Sequence, residues 1–317
     1  MSFRLGYACI SVPLRERGIF TSRTLTLKSL KEKGIETAKE LALKNIDDLI
    51  TIIQYNEDNG LRFFRLTSNL FPHAENKLAL EQYTIDFARE KLARVGKLAR
   101  SYAHRITMHP GQFAQLGSPR DEVVEQTFRD LNLHADIIHA MGYKPDLGSC
   151  LIIHGGGSFG DKEKTLTRWE ENYNKLPKQT RDLIVLENDD YQYTVMDLLP
   201  MCERNNIPIC IDFFHHECLG KEQFDIFNKK LIKRVINIWR KRSMKPKFHW
   251  SNQMKGHRKG AHGDCVKDIP IKILNICREY NCDIMLETKL KDLCTLKMYK
   301  KYFNRINNNG RIEYYLK

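Results

Sequence analysis

With 317 residues, 42% of them hydrophobic and 29% charged, the chain can bury a sizeable core, and its composition is not that of a disordered segment. Lysine and arginine outnumber acidic residues 52 to 39, a net charge of +13 that would draw polyanions such as nucleic acid, although a lysine-rich composition explains it equally well. Nine cysteines without a Cys-x-x-Cys pair argue against a zinc knuckle, and neither a secretory apolar run after Met1 nor a bilayer-length one later is present, so the expectation is a soluble intracellular protein with reduced thiols and no membrane partner.

In chain order, strands are expected at Phe3–Ala8, Phe63–Thr67, Arg105–Met108, Cys150–His154, Leu183–Glu187, Ile207–Asp212, Lys247–Trp250 and Asp283–Glu287. Amphipathic stretches separate them. Ala38, Leu41, Ala42, Leu49, Ile52 and Ile53 share one helical face, and Val124, Phe128, Leu131, Ala135 and Ile138 share another. Eight βα units without a glycine-rich dinucleotide fingerprint after the first strand favour a closed (β/α)8 TIM barrel over an open doubly wound sheet. We expect one domain over residues 1–317, with the long connections 9–33, 68–82, 110–120 and 251–268 on the C-terminal face. The tail from Lys289 to Lys317 should close the last helix and then fray.

Residue types that bind metals recur at the ends of these strands: His109, His154, Glu187, Asp212, then His215, His249, His262 and Glu287. One such histidine is most often structural, but eight candidates on one rim are harder to dismiss, and a carboxylate ending an apolar strand is costly to bury without a cation. A mixed imidazole and carboxylate set suits zinc or manganese, and its size suggests two or three ions bridged by Glu187. Such clusters serve phosphoryl displacement. His104, His134 and His139 sit inside helical patterns or just before a strand and read as structural, while His216 and His257 are left outside the site.

The motifs Leu5-Gly6-Tyr7, Ser68-Asn69-Leu70-Phe71-Pro72-His73, Met108-His109-Pro110-Gly111-Gln112-Phe113, Ile153-His154-Gly155-Gly156, Leu186-Glu187-Asn188-Asp189, Asp212-Phe213-Phe214-His215, Lys247-Phe248-His249-Trp250-Ser251 and Leu286-Glu287-Thr288-Lys289 together resemble the ultraviolet damage endonuclease family. The resemblance spans nearly the whole chain. It implies an ATP-independent, metal-dependent enzyme that nicks damaged double-stranded DNA immediately 5′ to photoproducts, leaving a 3′-hydroxyl and a 5′-phosphate. Up to three divalent ions are implied, manganese first, with zinc, cobalt or magnesium as alternatives.

By the same resemblance the eight residues above are ligands, with Glu187 and Glu287 also serving catalysis, His73 lies near the scissile phosphate, and Lys247 is carboxylated. Gln112 and Phe113 would push into the duplex opposite the lesion, where family members commonly carry tyrosine at the second position. Tyr7, Asn69 and Ser11 would lie near the lesion, Ser11 standing where the family has asparagine. Basic residues Arg15, Arg17, Arg23, Lys255, Arg258 and Lys259 read as a phosphate track. No nucleotide cofactor is expected, and a monomer is. The alternatives weighed are an apurinic-site endonuclease of the same superfamily, a xylose isomerase-like sugar isomerase, and a non-catalytic binder of damaged DNA.

Overall fold

Each apolar run forms a short strand in the computed structural model, which describes residues 3–76 and 83–317, so that the connection expected over 68–82 lies partly outside the described residues. The strands are β1 (Leu5–Ala8), β2 (Phe63–Leu66), β3 (Arg105–Met108), β4 (Leu151–His154), β5 (Ile184–Glu187), β6 (Ile209–Cys210), β7 (Lys247–Trp250) and β8 (Asp283–Leu286). All pair in parallel in the order β6-β5-β4-β3-β2-β1-β8-β7. The cylinder closes between β6 and β7 through a bridge from Asp212 to His249, whose amide donates to the Ile211 carbonyl at 2.9 Å. This is the expected (β/α)8 barrel.

Helices wrap the strands from outside. The helix Ile35–Asp58 buries Ala38, Ala42, Ile46, Leu49, Ile52 and Ile53, with Leu41 at the margin, and Asp121–Ala140 buries Val124, Leu131, Ala135 and Ile138. Inside the barrel, side chains two residues apart on a strand share a face. There Gly6 faces Phe63 so closely that a Cβ would come within 2.5 Å of its ring, so only a hydrogen fits.

Two expectations are corrected. The tail does not fray: after the helix Lys291–Tyr302 the chain forms a hairpin of β9 (Phe303–Asn308) and β10 (Arg311–Leu316). Asn309 and Gly310 form its turn at φ of 50° and 86°, the left-handed pair that suits the twist of a two-residue hairpin. Tyr314 of β10 stacks on Tyr299 at a centroid distance of 4.0 Å, fastening the hairpin to the last helix. The thiols are not all reduced either. Cys265 and Cys294 form a disulfide, because the connection after β7 folds back onto the helix Lys291–Tyr302 and brings their Cα atoms to 5.3 Å. The other seven cysteines are free.

Candidate metal centre and active site

Glu187 ends β5 fully buried at the middle of the C-terminal rim. Its Oε2 lies 3.0 Å from His109 Nε2 and 3.9 Å from His154 Nε2, while its Oε1 lies 2.7 Å from His249 Nδ1 and 3.6 Å from His215 Nδ1. One carboxylate therefore faces four imidazoles, two on each oxygen. Glu287 continues the ring, with Oε1 3.2 Å from His249 Nδ1 and Oε2 3.5 Å from His262 Nδ1. Asp212 caps the helix Phe213–Leu219 by accepting from the His215 amide at 2.8 Å, which fixes His215 beside it.

Donor atoms gather into three overlapping groups, each within 4.8 Å: His109, His154 and Glu187; Glu187, Asp212 and His215; Asp212, His249 and Glu287. Among the described residues, Asp212 Oδ2, His154 Nδ1, His249 Nε2 and Lys247 Nζ are buried without a hydrogen-bond partner. Buried polar atoms seldom stay unpaired, and the orphaned Asp212 Oδ2, beside the unpaired nitrogens of His154 and His249, fits cation binding.

The electrostatics agree. Burial, with Glu287 and Asp212 close by, pushes the Glu187 carboxyl well above the usual carboxylate range. Burial would also raise Glu287, but Arg65 and the facing imidazoles hold it well below that range. His109 and His249 are driven well down, mainly by burial, and His154 falls to about 4 for the same reason with His215 adding to it. Neutral imidazoles are the ligand form. His215 alone of the four moves up, since Asp212 and the Asn188 carbonyl outweigh its burial.

The eight ligand candidates thus come together as the strand ends imply, but several other expected site residues do not. Gln112 and Phe113 do reach the mouth: they stand exposed on the edge of a cavity of about 780 Å³ that also touches His154, His215, His262 and Glu287. Asn69 is exposed on the neighbouring loop, where it shares a smaller recess with Phe113. Tyr7 and Ser11 are corrected. Tyr7 alternates outward from β1, is fully buried, and donates to Asn56 at 2.6 Å; Ser11 is 1% exposed and donates to Asp292 at 2.8 Å, so neither is open at the mouth. His73 belongs to none of the three donor groups, and its Nε2 meets the Leu25 carbonyl at 2.5 Å, tying it to the first loop.

Of the basic track, Arg258 lines the cavity, whereas Arg23 is committed to Asp48 at 2.7 Å and to the Phe20 and Gly18 carbonyls. The histidines set aside as structural find structural partners: His104 meets Glu57, His134 meets Asp130, and His139 the Gln179 carbonyl. Arg65 was missed. It points inward from β2 two residues after Phe63 and pairs with Glu287, and a lone arginine in an apolar strand was the signal for it.

Fold and rim together define a (β/α)8 barrel with a candidate multi-metal centre at its C-terminal mouth. The chain belongs to the UV-endonuclease UvdE family, whose sequence profile matches residues 3–315. It is 46% identical over 99% of its length to a protein of Acanthamoeba polyphaga mimivirus described provisionally as a UV-damage endonuclease, spanning 96% of that relative. Against the UV-damage endonuclease of Schizosaccharomyces pombe it is 37% identical over 94% of its length, but it spans only 50% of that longer protein. The crystal structure of SacUVDE matches with a TM-score of 0.80 at 30% identity, over 94% of this chain and 97% of the other.

Proposed function

We propose that the chain is a DNA repair endonuclease, dependent on divalent metal and independent of ATP, that nicks duplex DNA immediately 5′ to ultraviolet photoproducts and leaves a 3′-hydroxyl and a 5′-phosphate. The observation that carries this reading is the juxtaposition of three overlapping donor groups with an exposed Gln112 and Phe113 on the edge of one cavity. His109, His154, Glu187, Asp212, His215, His249, His262 and Glu287 would hold up to three ions, manganese first among them. Such ions lower the pKa of a bound water and neutralise charge on the attacked phosphate and the leaving oxygen.

The protein's own groups position and exclude. Glu187 divides its two oxygens between two pairs of imidazoles and so fixes the geometry of the ring. Arg65 anchors Glu287 from below. Phe113, 74% exposed, acts as a wedge that unstacks the duplex, with Gln112 beside it. Arg258 takes phosphate at the rim.

Lys247 is fully buried, with Nζ 5.4 Å from the Phe63 ring centroid and no hydrogen-bond partner among the described residues. Burial lowers its pKa and so favours the free amine. A free amine adds carbon dioxide and releases a proton, giving a carbamate whose negative charge suits a cation ring. Electron density at Lys247 Nζ decides this.

The activity is tested with supercoiled plasmid, irradiated or untreated, incubated with Mn²⁺ or with EDTA. Relaxed circles are expected from irradiated plasmid with Mn²⁺ alone. Intact supercoils in that arm defeat the proposal.

A further inference from the structure

Among the described residues, the two most exposed large hydrophobic side chains are Tyr191 at 79% and Phe113 at 74%. Both line the cavity over the donor ring. Single exposed apolar groups are ordinary on protein surfaces, but the two most exposed converge on one opening. Phe113 follows Gln112 on the loop after β3, and Tyr191 precedes Gln192 on the loop after β5, so each loop offers one ring and one amide. Strands β3 and β5 flank β4, which places these loops on either side of His154.

The second loop is built to hold Tyr191 outward. Asp189 Oδ1 accepts from the Tyr191 amide at 2.8 Å and from the Gln192 amide, and Oδ2 accepts from the Tyr193 amide at 3.2 Å. Tyr193 is fully buried against Gly155, where a Cβ would come within 2.6 Å of its ring. Asn188 clamps the Asp212 backbone at both its amide and its carbonyl, at 2.9 Å each, and Thr194 opens the next helix with a capping box. The anchored backbone presents the Tyr191 side chain to the opening without a rearrangement of the loop, which lowers the ordering cost of stacking.

We propose that Tyr191, on the far side of His154 from Phe113, is a second base-stacking residue, which holds bases that the Phe113 wedge displaces from the damaged strand, with the Gln192 amide beside it. The inference rests on the reading of the site as a damage-directed nuclease. While Phe113 fills the vacated duplex, Tyr191 closes on what has left it.

The test compares wild type, Tyr191→Ala and Tyr191→Phe, with metal content measured for each, on a duplex carrying one defined pyrimidine dimer and on its undamaged twin. Tyr191→Ala is expected to bind the damaged duplex about 10-fold more weakly, while Tyr191→Phe stays within about twofold of wild type, since the face and not the hydroxyl stacks. Metal content should change little in either variant, so that a loss of binding is not a loss of the donor ring. A 2-aminopurine beside the dimer, bright once unstacked, should be quenched by wild type and by Tyr191→Phe but not by Tyr191→Ala. Equal binding by Tyr191→Ala and wild type, or equal loss in both variants, overturns the inference. Wild-type protein that nicks neither duplex overturns the nuclease reading, and this inference with it.

Discussion

Both ends of the barrel bury carboxylates beside nitrogen groups, yet they are wired in opposite ways. At the N-terminal end, Asp283 accepts from Arg105 at 2.9 Å, from Lys245 at 2.5 Å and from the Arg4 amide at 2.8 Å. The remaining Arg105 donors go to the carbonyls of Gly148, Pro246 and Lys245. Burial would raise the Asp283 carboxyl, but Lys245 and Arg105 hold it below its ordinary value. At the C-terminal end Glu187 faces mostly neutral imidazoles and is pushed up instead. Fixed cations of the protein close a site. Arg65 is spent on Glu287, whereas Glu187, set among mostly neutral imidazoles, keeps lone pairs that a bound cation would use.

This contrast breaks first at Glu187. Glu187→Gln should empty the ring of metal and cut nicking of irradiated plasmid by more than about 1000-fold, the rate equivalent of several kcal/mol of lost charge stabilisation. Its urea midpoint, measured without metal, should not fall, because the carboxyl is already the strained member of its cluster. Full activity in this variant would place the chemistry elsewhere.

Asp283→Asn should behave in the reverse manner, losing about 3 kcal/mol in urea unfolding while folded molecules keep their nicking rate, because Arg105 and Lys245 are left buried and uncompensated. The direction with pH follows from the depressed carboxyl. Its contribution is complete above the unfolded value of 3.8 and fades as pH falls through the lower folded value, so wild type and variant should converge in acid. A stability gap that widens in acid would reverse this assignment.

The smallest effect is expected at the edge of the mouth. Gln112→Ala with Phe113→Ala should spare metal content and stability yet lower the preference for damaged over intact duplex about 10-fold. Competition binding with the two duplexes measures it. An unchanged preference would remove the wedge from the account.

Much of the rim was legible because one regularity places it: a short continuous apolar run that ends in a ligand type, as in Ile184–Glu187, is a buried parallel strand that puts that residue at the barrel mouth. The two-residue alternation of side chains along a strand marks Arg65 as an inward partner of Phe63, and it turns Tyr7 outward toward Asn56. What stayed hidden depends on contacts between distant segments. Ser11 is claimed by Asp292, 281 residues away, and the exposure of Tyr191 arises from an Asp189 turn that leaves no periodic trace. Cys265 and Cys294 meet only because a long loop doubles back. The hairpin was a different case, since Asn309-Gly310 between β-prone runs is a local signal for a turn.

The closure of the cylinder at Asp212 and His249 ties these threads together. Among the described residues, β6 and β7 meet through that bridge and not through a ladder, and both bridging residues belong to donor groups of the rim. A cation held between them would act as the clasp on a hoop. The charge that serves the phosphate would also lock the seam of the shell, so that loading the enzyme and tightening its frame become one event.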